Sequence, residues 1–130
     1  MANELTLSNG GLVALDVEKG LSEMIKPLKK EIHLFDTFVA GTSYLKDKTV
    51  LERIAENDRL TLQRENNKFD ENAILVLNDK KEKLGYIPEK DNIVFSRLMD
   101  AGKLLIAKIK HIEKKGTYTQ IRIGIYLIDF

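Results

Sequence analysis

The chain has no cysteine, which removes disulfides, thiolate zinc sites and thiol catalysis together and fits a reducing compartment. Histidine is scarce, and His33 and His111 are both isolated from any carboxylate cluster at ligand spacing, so the pattern calls for no metal. None of Ser8, Ser22, Ser43 and Ser96 stands in a nucleophile-elbow context or a Ser/His/Asp ordering. Gly10-Gly11 is too short to cradle a phosphate, and no glycine-rich segment opens a helix after a strand. Adjacent acids such as Asp70-Glu71 point to opposite sides of an extended segment, which separates them for acid–base work. The residues therefore ask for no cofactor, and the expectation is a binding protein and not an enzyme. No apolar run approaches the ~18 residues of a membrane span, and no charged-then-apolar leader is seen. A soluble, cytoplasmic chain that avoids membranes is expected. Charge of one sign is lacking too: the formal net charge is +1, without a global pull toward nucleic acid or anionic lipid.

What is present suits one domain. The 130 residues are 43% hydrophobic, enough to enclose a single core. Residues 60–88 organise the reading. Leu60 and Leu62 alternate with Thr61 and Gln63, and 73–77 is a short apolar run, so both segments read as strands. Residues 66–72 between them are polar and rich in Asn and Asp, which favour turns by bonding nearby backbone. Phe69 is the exception: it either plugs the end of a barrel or offers a flat face to a ligand. Residues 84–87 form a further strand stopped by Pro88, and Gly85 within it signals a close approach by a neighbouring strand or a ligand.

The flanks extend the pattern. Residues 31–40 carry Ile32, Leu34, Phe35, Phe38 and Val39 as a strand, Gly41-Thr42-Ser43 punctuates it, and Tyr44 follows at its exit. Residues 50–56 read as one or two helical turns. Asp91 or Asn92 can cap a helix bearing Ile93, Phe95, Leu98 and Met99, which Gly102 ends. Residues 104–130 read as a long hairpin with its turn at 113–117. Leu105, Ala107 and Ile109 alternate with Ile106, Lys108 and Lys110 on one arm, and Ile121, Ile123, Ile125 and Leu127 share one face of the other, with Arg122, Gly124 and Tyr126 opposite. The fold class is mainly β with few helices: a small OB-like six-stranded barrel over 31–130, with one internal helix. Residues 1–30 form an N-terminal helical extension, capped at Asp16 and striped by Leu21, Met24, Ile25 and Leu28, with Gly20 and Pro27 weakening it.

Binding chemistry concentrates in the middle of the chain. A strand of single-stranded nucleic acid needs flat faces, each worth about 1–3 kcal/mol per base, and cations for its phosphates. Tyr44, Phe69 and Tyr86 can supply faces; Arg64, Lys68, Lys83, Lys90 and Arg97 can supply charge. From 80 to 122 eleven Lys and Arg stand against five Asp and Glu, a local excess of +6 that reads equally as a solvated surface. Asp70 has two readings. A carboxylate repels phosphate, so it either accepts a bond from a sugar hydroxyl or base amino group or bonds the backbone amides of its own loop.

These residues carry a resemblance. Gly41-x-x-Tyr44, then Leu60-x-Leu62-x-Arg64-Glu65-x-Asn67-x-Phe69-Asp70-x-Asn72-Ala73-Ile74-x-Val76, then Leu84-Gly85-Tyr86-Ile87-Pro88, resemble the HIRAN domain over about residues 32–128. That module occurs at the N-terminus of certain fork-remodelling DNA-dependent ATPases of the Swi/Snf type and as small stand-alone bacterial proteins. The resemblance implies an OB-like barrel that captures the 3′-hydroxyl end of single-stranded DNA and links the chain to DNA repair. Tyr44 and Phe69 would then sandwich the terminal bases, Asp70 would accept from the 3′ hydroxyl, and Asn67 and Tyr86 would line the backbone path, with Arg64 and Lys68 nearby. Phe69 stands where DNA-binding members have Tyr, Tyr86 replaces a His, Ser43 an Arg and Glu89 a Lys. Two cations of that site are therefore missing. The alternative is a protein-interaction or regulatory domain that keeps the barrel without the DNA site, with a protein partner engaged through the N-terminal segment. Oligomeric state is not written in the sequence.

Overall fold

The computed structural model describes residues 30–129. The expected N-terminal helical extension falls outside them, apart from Lys30, which opens a strand. The described residues form six strands: β1 (Lys30–Phe38), β2 (Arg59–Arg64), β3 (Ile74–Leu77), β4 (Lys83–Tyr86), β5 (Leu105–Lys115) and β6 (Tyr118–Asp129). One α-helix, α1 (Asn92–Asp100), and two short 3₁₀ segments, Thr42–Tyr44 and Lys48–Glu52, complete the description. The strands make one sheet in the order β1-β6-β5-β2-β3-β4, the mainly β architecture that alternation in the sequence implied.

Side-chain alternation decides which face turns inward. On β2, Leu60 and Leu62 are buried while Thr61 and Gln63 are exposed, and Leu62 stands opposite Val76 of β3. On β5 and β6, Leu105, Ala107, Ile109, Ile121, Ile123 and Ile125 are all buried and join one core with Ile74, Val76 and Leu84. Each large aliphatic side chain removed from water stabilises the fold by about 1.5–3 kcal/mol, so this interior carries the barrel. The hairpin departs from strict register between Ile109 and His111, where a bulge leaves Lys110 as the extra residue. Its turn is also tighter than 113–117, because pairing continues to Lys115 and Tyr118 and leaves Gly116 and Thr117 at the tip.

β1 and β4 are the ends of the sheet order, yet the chain just past β1 returns to β4. Ala40 N–H donates to Tyr86 O at 2.8 Å and Tyr86 N–H donates to Ala40 O at 2.9 Å, which closes the sheet on itself. This seam explains Gly85. A Cβ there would lie 2.2 Å from Ala40 O and 2.6 Å from Val39 Cγ1, so the close approach is by neighbouring chain.

Two local expectations are refined. Gly102 ends α1 as expected, with φ 91° and the paired bonds of a Schellman cap, Lys103 N–H to Leu98 O and Gly102 N–H to Met99 O, both 3.0 Å. Asp91 occupies the N-cap position, but its side chain leaves the helix amides alone and accepts instead from Thr37 Oγ1 at 2.7 Å. The apolar run of residues 31–40 is also only partly interior: Val39, just past β1, is buried, whereas Ile32, Leu34, Phe35 and Phe38 remain exposed. Among the described residues no helix is long and apolar enough to cross a membrane.

Candidate functional site

The loop joining β2 to β3 is shaped by its own side chains. Asn67 Oδ1 accepts from Phe69 N–H at 2.8 Å, and Asp70 Oδ1 accepts from Asn72 N–H at 2.9 Å, two successive Asx turns. Tight turns of this kind leave the intervening side chain without a core to enter. Phe69 is accordingly 86% exposed, with Lys68 Nζ 5.2 Å from its ring centroid.

Three elements hold the loop from below. Arg64, at the end of β2, donates through Nη1 to Ala73 O at 2.6 Å, through Nη2 to Glu71 O at 2.8 Å, and through Nε to Asp100 Oδ1 at 2.9 Å. That bond to the guanidinium holds the Asp100 carboxyl below its usual range. From α1, Asn92 Nδ2 donates to Asp70 Oδ2 at 2.8 Å and Ser96 Oγ to Asn72 Oδ1 at 3.2 Å. Four residues apart, Asn92 and Ser96 share one helix face, and both are buried. From β4, Tyr86 Oη donates to Glu65 Oε1 at 2.8 Å, the same oxygen that accepts from Asn67 Nδ2 at 3.0 Å.

These constraints enclose a cavity of about 250 Å³ whose walls include Gly41, Asn67, Phe69, Asp70, Tyr86 and Glu89. Among the described residues no lysine or arginine lines it. A second cavity, of about 370 Å³, is lined by Tyr44, Lys46, Asp47, Glu82 and Lys83 among others. The Lys83 ammonium lies 3.2 Å from Tyr86 Oη and 4.5 Å from that ring's centroid, so one side chain from each cavity meets the other.

Of the residues singled out in the sequence, Asn67, Phe69, Asp70 and Tyr86 come together in one cavity. Tyr44 does not join them; it is 90% exposed and lines the neighbouring cavity. Arg64 is engaged inside the protein, its donors directed to backbone carbonyls and Asp100. Lys68 stays in solvent beside Phe69. Asp70 makes the loop-amide bond, one oxygen accepting from the Asn72 amide and the other from Asn92, and the residue also lines the cavity. Asn92 and Glu65 join the site through contacts that their residue types alone do not announce. The available signal was a polar pair at helical spacing, Asn92 and Ser96, within an otherwise apolar helix face. Among the described residues no three His, Asp or Glu side chains gather as a metal site would require.

The profile of the HIRAN domain matches residues 32–127. Among solved structures, a protein from Lactobacillus plantarum, a structural genomics target, is similar at TM-score 0.72 and 26% identity, covering 78% of this chain and 99% of that one. The HIRAN domain of human HLTF is similar at TM-score 0.62 and 18% identity, covering 77% of this chain and 78% of that one, a likeness of fold. No curated protein sequence matches the chain.

Proposed function

We propose, from the premise that this chain belongs to the HIRAN domain family, that it is a nucleic-acid-binding module taking the 3′-hydroxyl end of single-stranded DNA. The observation that carries this reading is the meeting of Phe69, Asp70, Asn67 and Tyr86 at one cavity of about 250 Å³. The exposed Phe69 ring offers a base a stacking face worth about 1–3 kcal/mol. Asp70 keeps acceptor capacity, because each of its oxygens has a second lone pair beyond the bond it already receives. A free hydroxyl can donate there. An ionised terminal phosphate cannot, and it would face Asp70 and Glu89 in a cavity whose described walls hold no lysine or arginine. Phosphates further along the strand would run toward Lys83 and Lys46, in the cavity that Tyr44 lines. The process is capture by non-covalent contacts, with no bond broken.

A second reading draws on the same walls. Glu89 lines the cavity and Ser43 stands beside Tyr44, so neither position supplies the cation that the family resemblance implies. A non-catalytic protein-interaction or regulatory domain that retains the barrel would look the same in these respects.

Fluorescence anisotropy with short oligonucleotides ending in a 3′ hydroxyl or a 3′ phosphate, at two salt concentrations, separates the two. Preference for the hydroxyl end that vanishes in Asp70→Ala supports end capture. Equal, weak and wholly salt-sensitive binding of both ends means charge attraction alone, and absence of binding favours the protein-interaction reading.

A further inference from the structure

We propose that Asn92, the first residue of α1, is a positioning residue for the hydroxyl acceptor: it fixes the Asp70 carboxylate so that the free lone pairs face the cavity. The inference rests on the 3′-end reading above and adds a residue that does not itself line the cavity.

The geometry is specific. Asn92 is 2% exposed, and its Nδ2 donates to Asp70 Oδ2 at 2.8 Å while the Asn72 amide donates to Oδ1 at 2.9 Å. One donor on each oxygen fixes both the plane and the rotation of the carboxylate, and both partners are donors, as an acceptor-only group requires. Neither donor can drift. The Asn72 amide closes the Asx turn and the Asn72 side chain accepts from Ser96 Oγ at 3.2 Å, while the start of α1 is tied to β1 by Thr37 Oγ1 donating to Asp91 Oδ2 at 2.7 Å. Thr37 is 5% exposed and lies three residues before Ala40, whose backbone closes the barrel on Tyr86. Asp70 is therefore referenced through α1 to the same seam that sets Tyr86. A buried amide is a costly choice where an apolar side chain would fill the space, since its polar atoms lose water on burial. Directing that amide at the Asp70 carboxylate gives the choice a reason: a hydroxyl is read by angle as well as distance, and an unpinned carboxylate would accept it in many geometries or none.

Asn92→Ala removes the donor at Oδ2 and leaves Asp70 in place. The expected result is a drop of about tenfold in the preference for a 3′-hydroxyl over a 3′-phosphate oligonucleotide, the size of one hydrogen bond to a charged group. Ser96→Ala loosens the Asn72 side chain but leaves both donors to Asp70 in place, so its effect on the preference should be clearly smaller than that of Asn92→Ala. In the unmodified protein, the side-chain amide resonance of Asn92 should shift on titration with the hydroxyl-ended oligonucleotide and stay put with the phosphate-ended one, a readout that requires no variant to fold. If the parent prefers hydroxyl ends and Asn92→Ala keeps that preference, or if the amide resonance does not respond, the positioning role is wrong while end capture stands. If the parent shows no preference, end capture itself fails and the positioning role falls with it.

Discussion

Ala40 and Tyr86 exchange both of their backbone hydrogen bonds, at 2.8 and 2.9 Å, so the residue that closes the barrel also forms a wall of the candidate site. Barrel integrity and site geometry are one quantity at this point.

Gly85, next to that seam, should tolerate no side chain. Gly85→Ala places a carbon 2.2 Å from a backbone oxygen, and backbone cannot rotate away as a flexible side chain would. A loss of about 2–3 kcal/mol in urea unfolding is expected. Gly116→Ala is the control: at φ 65° with nothing within 4 Å, it should cost only about 1 kcal/mol.

Arg64→Ala should act on folding before it acts on ligand. The change leaves the carbonyls of Ala73 and Glu71 without their guanidinium donor and frees Asp100. About 2 kcal/mol of stability should be lost, and Arg64→Lys should recover little because an ammonium cannot span those acceptors. The salt dependence of DNA binding should keep its slope, since the side chain is engaged within the protein. A shallower slope in the variant would show that Arg64 meets phosphate.

Phe69 should show the opposite profile. At 86% exposure it contributes little to the core, so Phe69→Ala should leave stability within about 0.5 kcal/mol while weakening oligonucleotide binding by about 1–3 kcal/mol. Phe69→Tyr should bind at least as well as the parent. Melting curves and anisotropy on the same preparations test both statements.

Stability should fall in acid partly through Glu31. Hydrogen bonds from Lys108 and then Arg59 hold its carboxyl down at about 2, against 4.5 for a free glutamate. A folded-state value below the unfolded one contributes stability that is complete above pH 4.5 and is lost as the pH falls toward 2. The cluster is partly solvated, so the effect is modest, below about 1 kcal/mol after screening. Glu31→Gln should flatten that segment of the stability-against-pH curve; an unchanged curve would remove the ion cluster from the account.

β2, β5 and β6 were legible because each buries one face, and a period of two in Leu60–Leu62, Leu105–Ala107–Ile109 and Ile121–Ile123–Ile125 records that burial directly. Gly85 announced a close approach without naming the intruder, since Ala40 lies far from it in sequence and the contact depends on closure. Charge was less legible. Arg64 reads as a phosphate ligand by type, but its partner Asp100 is 36 residues away and the other partners are backbone carbonyls, which a sequence displays identically everywhere. Asn92 has the composition of a helix cap, and only packing reveals that its amide turns to Asp70. The apolar run of β1 shows the limit of counting hydrophobic residues, because Ile32, Leu34 and Phe38 stay outside while Thr37 is buried and bonded to Asp91.

Beyond Ile109 the long β5–β6 hairpin continues to Lys115 and Tyr118, with residues from Glu113 to Tyr118 exposed around Gly116. The tip around Gly116 is the place to lengthen or tag the arm, whereas shortening it past Thr119 would remove the carbonyl that accepts from Thr42 Oγ1 at 3.0 Å. A fluorophore attached at Thr117 would report tumbling of the whole module while leaving Phe69 and Asp70 untouched, which makes the tip a suitable handle for immobilisation or fusion.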